Sequence, residues 1–239
     1  MALIHLVRHG QASFGSANYD QLSDLGMRQC YLLGQWMHQT QQPVERIILG
    51  GMHRHRQSAQ AFVEGFGSPD YLNANHWELD ANLNEFDHEQ VLKVSRPDLA
   101  APGKLMEFLA TQARPRAVFE QMFAEAFARW MSGAHDADYA ESWASFKHRI
   151  GNAISLFQSP EFHSEPRKNT IVFTSAGPIT VLCQQIMAVP DSHIMGLLSV
   201  MLNSSVSKLI HTDGDLRVAA INAVPHLEIK ADKSLISYR

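Results

Sequence analysis

The 239-residue sequence has only two cysteines, Cys30 and Cys183, and neither lies in a CxxC motif or near spaced histidines. This scarcity argues against a disulfide scaffold and favours buried free thiols in a reducing compartment. No apolar run reaches the roughly 18 residues that a membrane-spanning helix needs, and the apolar start, residues 1–7, is too short for a secretory signal. We therefore expect a cytoplasmic protein without a membrane partner.

The net charge is also small. The sequence has 20 Lys and Arg residues and 24 Asp and Glu residues, which gives a formal net charge of −4. This balance predicts no nucleic-acid partner. An anionic ligand would have to be held by a few local cations. No Gly/Ser-rich or Pro-rich stretch divides the chain, so we expect a single domain over residues 1–239 rather than two small ones.

The apolar pattern predicts strands alternating with helices. The expected strands are 2–7, 46–49, 170–174, 203–211 and 216–221. The expected helices are 24–38, 54–66, 91–94, 104–111, 118–131, 141–157 and 179–187. Strand-helix alternation favours a mostly parallel sheet. We therefore predict an α/β fold, a three-layer α/β/α arrangement around a mostly parallel central sheet, with residues 86–138 as a helical cap insertion.

An aromatic stripe runs along the helix predicted at 118–131. Phe119, Phe123, Phe127 and Trp130 follow one another at spacings of four, four and three residues, which places them on one helix face. Two interpretations remain open. The stripe either packs into a core or forms part of a helical cap over the site.

A histidine stands where the first predicted strand ends, in the segment Arg-His-Gly-Gln at residues 8–11. Ligands bind beyond the carboxyl ends of strands in open α/β sheets, and Arg54 and Ser175 also follow predicted strands. A neutral imidazole is available near neutral pH to attack phosphorus. An arginine can grip phosphate oxygens in pairs and balance the charge of the transition state. The segment predicts His9 as a nucleophile and Arg8 as a phosphate ligand, with an ordinary surface turn as the alternative.

Residues 54–59, Arg-His-Arg-Gln-Ser-Ala, begin the second predicted helix. A helix N-terminus favours bound anions, and an arginine in its first turn adds a positive charge. Arg54 is therefore a second candidate phosphate ligand. We expect His55 and Arg56 to point elsewhere, because neighbouring residues do not share a helix face.

Four segments, in this order and spacing, resemble motifs of the histidine phosphatase superfamily, also called phosphoglycerate mutase-like. They are Leu-Val-Arg-His-Gly-Gln at 6–11, Leu-Ser-Asp-Leu-Gly at 22–26, Arg-His-Arg-Gln-Ser-Ala at 54–59 and Leu-Asn-Glu at 83–85. The resemblance runs from residue 2 to about residue 186, and residues 203–206 fit only loosely. It implies phosphoryl transfer to a histidine without a cofactor, with a small phosphorylated substrate or phosphate as the ligand. We expect no metal, because arginines supply the positive charge and the sequence contains no ligand-spaced cluster.

The resemblance also implies the residue roles. His9 becomes the nucleophile, and Arg8, Arg54 and Gln11 become phosphate ligands. Glu85 becomes the proton donor, because a leaving alkoxide needs a proton and the attacking water later needs a base. Asp87 is the nearest alternative to Glu85.

The sequence departs from this family at one position. A second histidine usually follows the late strand, and Ser175 stands in its place, in Thr-Ser-Ala-Gly-Pro-Ile at 174–179. A serine keeps a hydrogen-bond donor but loses the positive charge. Such a loss commonly costs on the order of a hundredfold in rate. We expect Ser175 to contact phosphate weakly and consider His226 the first candidate for a compensating cation. His53, His55 and Arg56 are further candidates.

Three functions remain open at this stage. The first is a metal-independent phosphomonoester hydrolase acting through a phosphohistidine. The second is a phosphate-binding pseudoenzyme, in which Arg8, His9 and Arg54 only bind. The third is a mutase of the phosphoglycerate mutase type. Its doubly anionic substrate would call for an additional basic cluster near the loop that contains Glu85, and the only candidate in the sequence is Ala-Arg-Pro-Arg at residues 113–116.

Overall fold

The computed structural model describes residues 2–13, 20–159, 162, 169–212 and 214–238. Six strands form one sheet in the order β3-β2-β4-β1-β5-β6. The strands are β1 (Ala2–Arg8), β2 (Arg46–Leu49), β3 (Glu78–Leu79), β4 (Thr170–Thr174), β5 (Val206–Thr212) and β6 (Asp215–Ala223).

The sheet is mixed. The neighbours β3-β2, β2-β4 and β4-β1 run parallel, whereas β1-β5 and β5-β6 run antiparallel. Residue Leu6 of β1 pairs with Val172 of β4 on one side and with Ser207 of β5 on the other. β1 is therefore an interior strand whose carboxyl end lies beside the carboxyl end of β4.

Nine α-helices are present in the described ranges. They are α1 (Asp24–Gln39), α2 (His53–Phe66), α3 (His88–Ser95), α4 (Lys104–Ala110), α5 (Pro115–Met131), α6 (Trp143–Gln158), α7 (Ala176–Met187), α8 (Ile194–Leu198) and α9 (Pro225–Glu228). Within the unit that contains the sheet, helices flank it, which confirms the predicted α/β/α fold. Over the described ranges, none of these helices is long and apolar enough to cross a membrane.

Helices α1 and α2 approach each other closely because glycines line their contact. A Cβ atom on Gly34 would lie 2.1 Å from the Phe62 carbonyl oxygen, and one on Gly65 would lie 2.0 Å from the Tyr31 carbonyl oxygen. Any side chain at either position would push the helices apart. The hydroxyl of Ser23 caps α1 by accepting a hydrogen bond from the Gly26 amide.

The core of the sheet-bearing part lies between these helices and the strands. It is a buried cluster that includes Val7, Leu33, Ile47, Phe62 and Phe173, drawn from β1, α1, β2, α2 and β4. The apolar runs of β1, β2 and β4 are buried on both faces, as is usual for parallel sheets. Burial of this core positions the strand ends that carry the polar residues described below.

The chain divides into two compact units, residues 1–85 with 150–239, and residues 86–149. In the second unit, Phe127 and Trp130 of the predicted stripe are buried. The Trp130 ring lies 4.9 Å from that of Phe86 and 5.2 Å from that of Trp143, centroid to centroid. At least this half of the stripe therefore packs into a core.

Predicted boundaries differ most where apolar content is low. The prediction of 91–94 covers only the second half of α3. The helix begins at His88, where the Asp87 side chain caps it by accepting from the Gln90 amide. The short strand β3 and helices α8 and α9 were not predicted. β3 has only two residues, which is too short to show a periodic pattern.

Candidate active site

His9 is held in place by its backbone. Its amide donates to the Thr174 carbonyl oxygen at 2.9 Å, and its own carbonyl oxygen accepts from the Ser204 amide at 3.2 Å. The backbone at His9 is thus fixed from β4 on one side and from the segment before β5 on the other. The side chain is only 5% exposed.

The His9 ring has a defined tautomer. Its Nδ1 lies 2.7 Å from the Gly10 carbonyl oxygen. A carbonyl oxygen can only accept, so Nδ1 must carry the hydrogen and Nε2 keeps its lone pair. Burial, and then the positive charges of Arg54 and Arg8, lower the pKa of His9 well below 6.5. The ring is therefore neutral and nucleophilic at Nε2 near pH 7.

Arg54 is the second residue of α2 and is 3% exposed. The partly exposed carboxylate of Asp20 accepts from Arg54 Nη1 at 3.1 Å and from the amides of His53 and Arg54 at 2.8 and 3.3 Å. The N-cap residue Met52 makes no side-chain cap. Asp20 therefore performs the capping role and places a carboxylate at the helix N-terminus. Sequence analysis missed Asp20, which lies outside every motif.

Arg8 ends β1, and its charge acts on His9. Its Nη1 donates to the carbonyl oxygens of Met201 and Tyr238, the latter at 2.9 Å. These contacts orient the guanidinium through backbone groups from distant parts of the chain.

The segment that contains Arg8's partner Tyr238 is tied to the loop after β1. Gln29 of α1 connects the two, because its Oε1 accepts from the Gln11 amide at 2.9 Å and its Nε2 donates to Leu235 O at 2.7 Å. Gln29 Nε2 also donates to Ser237 Oγ at 3.0 Å. The Ser237 hydroxyl donates to Asn203 Oδ1 at 2.9 Å. Residues 235–238, here called the C-terminal segment, therefore support the loop that bears the nucleophile.

Gln11 itself, a predicted phosphate ligand, is partly exposed. Its side-chain carbonyl oxygen accepts from the Ser23 hydroxyl at 2.9 Å, and its backbone oxygen accepts from the Ser23 amide at 2.9 Å. The amide side chain is thereby oriented by the residue that caps α1.

Glu85 reaches the same sheet edge through a fixed loop. Its Oε2 accepts from the Gly177 amide, in the first turn of α7, at 3.2 Å. The preceding Asn84 accepts from the Gly51 amide after β2, and Leu83 O accepts from the Thr174 hydroxyl at the end of β4. The loop is thus bonded to the carboxyl ends of two parallel strands. Asp87, the alternative acid, instead caps α3.

Ser175 and His55 are hydrogen-bonded to each other. Ser175 Oγ lies 2.8 Å from His55 Nε2, and both residues are fully buried. The centroids of the His55 and His9 rings are 5.9 Å apart. The prediction that His55 points away from the site is wrong, because its ring is buried 5.9 Å from that of His9, whereas His53 and Arg56 of the same helix turn are exposed.

His226 lies in α9, where its Nε2 is 2.8 Å from Ser204 Oγ. Burial lowers the pKa of His226 to about 3. The ring is therefore neutral near pH 7, which does not support its predicted role as a compensating cation.

The chain matches the family model of the histidine phosphatase superfamily (branch 1) over residues 4–102 and 104–224, and it belongs to that superfamily. No significant match was found among curated proteins.

Solved structures with the same fold include phosphoglycerate mutase from Bacillus anthracis str. Sterne, at 17% identity and a TM-score of 0.62, with 97% of each chain covered. A mycobacterial glucosyl-3-phosphoglycerate phosphatase matches at 20% identity and a TM-score of 0.56, covering 93% of this chain and 99% of the other. The alpha-ribazole phosphatase from Shigella flexneri matches at 14% identity and a TM-score of 0.60, covering 92% of this chain and 96% of the other. At these identities the likeness establishes the fold, and the reaction has to be argued from the site.

Proposed function

We propose that this protein hydrolyses small phosphomonoesters through a phosphohistidine formed on His9. The observation that carries the proposal is the state of the His9 ring. The ring is buried and neutral, holds its hydrogen on Nδ1 at the Gly10 carbonyl, and keeps the Nε2 lone pair for attack. Two arginines whose charges reach this ring supply the positive potential that a phosphoryl group requires.

In the first step, His9 Nε2 attacks phosphorus and the bond to the leaving-group oxygen breaks. Arg8 and Arg54 balance the charge on the equatorial oxygens. Glu85, in its protonated form, gives its proton to the departing alkoxide. In the second step, Glu85 takes a proton from water, the water oxygen attacks phosphorus, and the nitrogen–phosphorus bond breaks. Inorganic phosphate leaves and His9 is neutral again.

No metal is required in this scheme, since the arginines carry the charge that a metal would otherwise balance. We place the reaction in the cytoplasm, consistent with the two cysteines, which are both buried free thiols. Burial raises the pKa of Cys30 to about 11 and that of Cys183 to about 12, so both stay protonated and unreactive.

We also propose that residues 86–138 are an insertion within a single functional domain over 1–239. The family match supports this reading, because it continues through that segment. Differential scanning calorimetry tests it. One cooperative unfolding transition is expected, and two separable transitions would indicate two independent domains.

The first experiment is hydrolysis of p-nitrophenyl phosphate with EDTA present, for the wild type and for His9→Asn. Intact-mass measurement after a brief reaction should find one added phosphoryl group on the wild type only. That adduct should be stable to alkali and labile to acid, as a phosphoramidate is. Wild-type protein that binds phosphate but never turns over any of a broad monoester panel would contradict the proposal and indicate a binding protein.

The role of Glu85 has its own test. p-Nitrophenolate leaves without a proton, whereas an alkoxide does not. Glu85→Gln should therefore slow phosphoenzyme formation from glycerol 2-phosphate on the order of a hundredfold or more, and slow its formation from p-nitrophenyl phosphate much less. Asp87→Asn is the matched control, since Asp87 caps α3 and should show no dependence on the leaving group.

A further inference from the structure

The position of Ser175 follows from strand register. Arg8 pairs with Thr174 across β1 and β4, and the His9 amide donates to the Thr174 carbonyl oxygen at 2.9 Å. Ser175 is the residue after that pair, so it lies beside His9. It also occupies the N-cap position of α7, where serine usually caps the helix through its side chain. Here the hydroxyl makes no cap bond and instead contacts His55 Nε2 at 2.8 Å.

The backbone leaves space for the His55 ring. A Cβ atom on Gly50 would lie 2.4 Å from His55 Nδ1. Any side chain at position 50 would therefore displace the imidazole from the place where it meets Ser175. The ring is fully buried and its centroid is 5.9 Å from that of His9.

The polarity of this ring has no packing explanation. Burial, and then the positive charge of Arg54, lower the pKa of His55 to about 3, so the ring is neutral near pH 7. An apolar ring of similar size would fill the same volume without the cost of burying a polar group beside a guanidinium. What the imidazole supplies in addition is its hydrogen bond to the Ser175 hydroxyl, together with a backbone hydrogen bond to Gly50.

We propose that His55 and Ser175 form a dyad that replaces the second histidine of the superfamily, with the Ser175 hydroxyl donating to the phosphoryl group on His9. This proposal rests on the phosphoryl transfer proposed above. Ser175 is the member that contacts the phosphoryl oxygen, and His55 is the positioning residue that acts through it.

The direction of the hydrogen bond follows from the chemistry of the ligand. If the Ser175 hydroxyl gave its hydrogen to His55 Nε2, only oxygen lone pairs would face the phosphoryl anion. If Nε2–H donates to Ser175 Oγ, the hydroxyl hydrogen is left for the anion. An approaching phosphoryl group therefore selects the Nε2–H tautomer of His55, in which Nδ1 gives up its hydrogen bond with the Gly50 backbone. The histidine usual in this family would donate directly, whereas this dyad would donate through a hydroxyl.

The test compares Ser175→Ala, His55→Phe and the double variant with the wild type. Each single change should slow phosphoenzyme formation on the order of a hundredfold, as loss of one preorganised donor does. The double variant should be no slower than the slower single variant, because both changes remove the same hydrogen bond to phosphate. Additive losses, or rates within twofold of wild type for either single variant, would overturn the dyad.

A variant that relocates the imidazole separates the loss of the hydrogen-bond donor from general destabilisation of the fold. His55→Ala with Ser175→His moves the imidazole to the position that is usual in the family. Phosphoenzyme formation in this double variant should be at least tenfold faster than in His55→Ala alone. No recovery by a variant that melts at the wild-type temperature would count against the proposal.

His226→Phe is the matched control for loss of a buried imidazole. It removes a bond of the same 2.8 Å length to a serine hydroxyl, that of Ser204. It should lower thermal stability about as much as His55→Phe does. Its effect should be independent of Ser175→Ala, whereas the effect of His55→Phe should not be.

Phosphate binding separates the dyad from the proposed function. If the wild type forms no phosphoenzyme, the hydrolase proposal fails. Titration with inorganic phosphate then still tests whether the dyad contributes to phosphate binding. Ser175→Ala and His55→Phe should then each weaken phosphate binding about tenfold, consistent with one charge-assisted hydrogen bond. Unchanged phosphate affinity in both variants would overturn the dyad.

Discussion

The amide of Gly10 donates a hydrogen bond to the hydroxyl of Ser58 at 3.1 Å, across 48 positions of sequence. The same hydroxyl donates to the Arg54 carbonyl oxygen at 2.8 Å. One buried serine thereby connects the loop after the nucleophile to the helix turn that carries the second arginine. The position of Arg54 relative to His9 depends on this contact.

Ser58→Ala should remove both bonds and leave the Gly10 amide buried without its partner. We expect the free energy of unfolding in urea to fall by about 1–3 kcal/mol, and kcat to fall with it. Ser58→Thr keeps the hydroxyl, so this variant should retain most of the stability and most of kcat. Equal behaviour of the two variants would contradict a role for the hydroxyl.

We predict that the carboxylate of Asp20 competes with phosphate for Arg54. It already accepts from the Arg54 guanidinium and from the first amides of α2. Asp20→Asn removes a negative charge close to the expected anion and should tighten inhibition by inorganic phosphate about fivefold, or about 1 kcal/mol at a partly exposed site.

Asp24→Asn is the control for Asp20, because it makes the same change of charge on the exposed first turn of α1. It should leave phosphate inhibition within twofold of wild type. Weaker inhibition in Asp20→Asn would instead mean that Asp20 holds Arg54 in its working position.

The C-terminal segment supports the nucleophile loop through Ser237. Ser237→Ala loses the bonds to Gln29 and Asn203, and should lower the free energy of unfolding by about 1–2 kcal/mol. Because Gln29 also holds the Gln11 amide, we expect kcat to fall several-fold with little change in KM.

Ser234→Ala is the control for Ser237→Ala, because it tests whether loss of any serine hydroxyl near the C-terminal segment has the same effect on stability and kcat. Ser234 is exposed, and its hydroxyl bonds locally, to Asp232. Both its stability and its kcat should stay close to wild type. A wild-type kcat in Ser237→Ala would show that the segment does not influence the site.

Buried histidines should make the protein sensitive to acid. Burial lowers the pKa of His5 to about 4 and those of His55 and His226 to about 3, against 6.5 for the unperturbed group. Between those values the unfolded chain binds protons that the folded chain does not. Stability should therefore be greatest above pH 6.5 and fall as the pH drops, by about 1.4 kcal/mol per pH unit for each histidine.

His5→Leu checks this assignment. His5 lies in the middle of β1, and neither ring nitrogen has a hydrogen-bond partner within the described part of the chain. Removing the ring should reduce the slope of unfolding free energy against pH by about one proton between pH 4.5 and 6. It should also cost little stability at pH 7.5. An unchanged slope, measured by urea denaturation at a series of pH values, would contradict the assignment.

Local sequence was sufficient to locate most of the fold. The apolar runs that became β1, β2 and β4 and the periodic stretches that became α1, α2 and α5 were readable, because each buries a continuous face. The order of the motifs was likewise enough to bring His9, Arg54 and Ser175 to one sheet edge, since parallel strands end on the same side. Glu85 was found by motif alone, because no periodic element contains it.

Tertiary structure decided the contacts between these residues. The helix rule that directed His55 away from Arg54 failed because the fold buries both of these side chains, whereas His53 and Arg56 of the same turn are exposed. Asp20 and Ser237 were not predicted, since their partners lie 34 and 208 positions away. The sequence by itself determined which groups can carry phosphate chemistry. Only the folded chain decided which of them share hydrogen bonds, because those bonds join residues that are distant in sequence. They also depend on the close approach of α1 and α2, which the glycines in their contact allow.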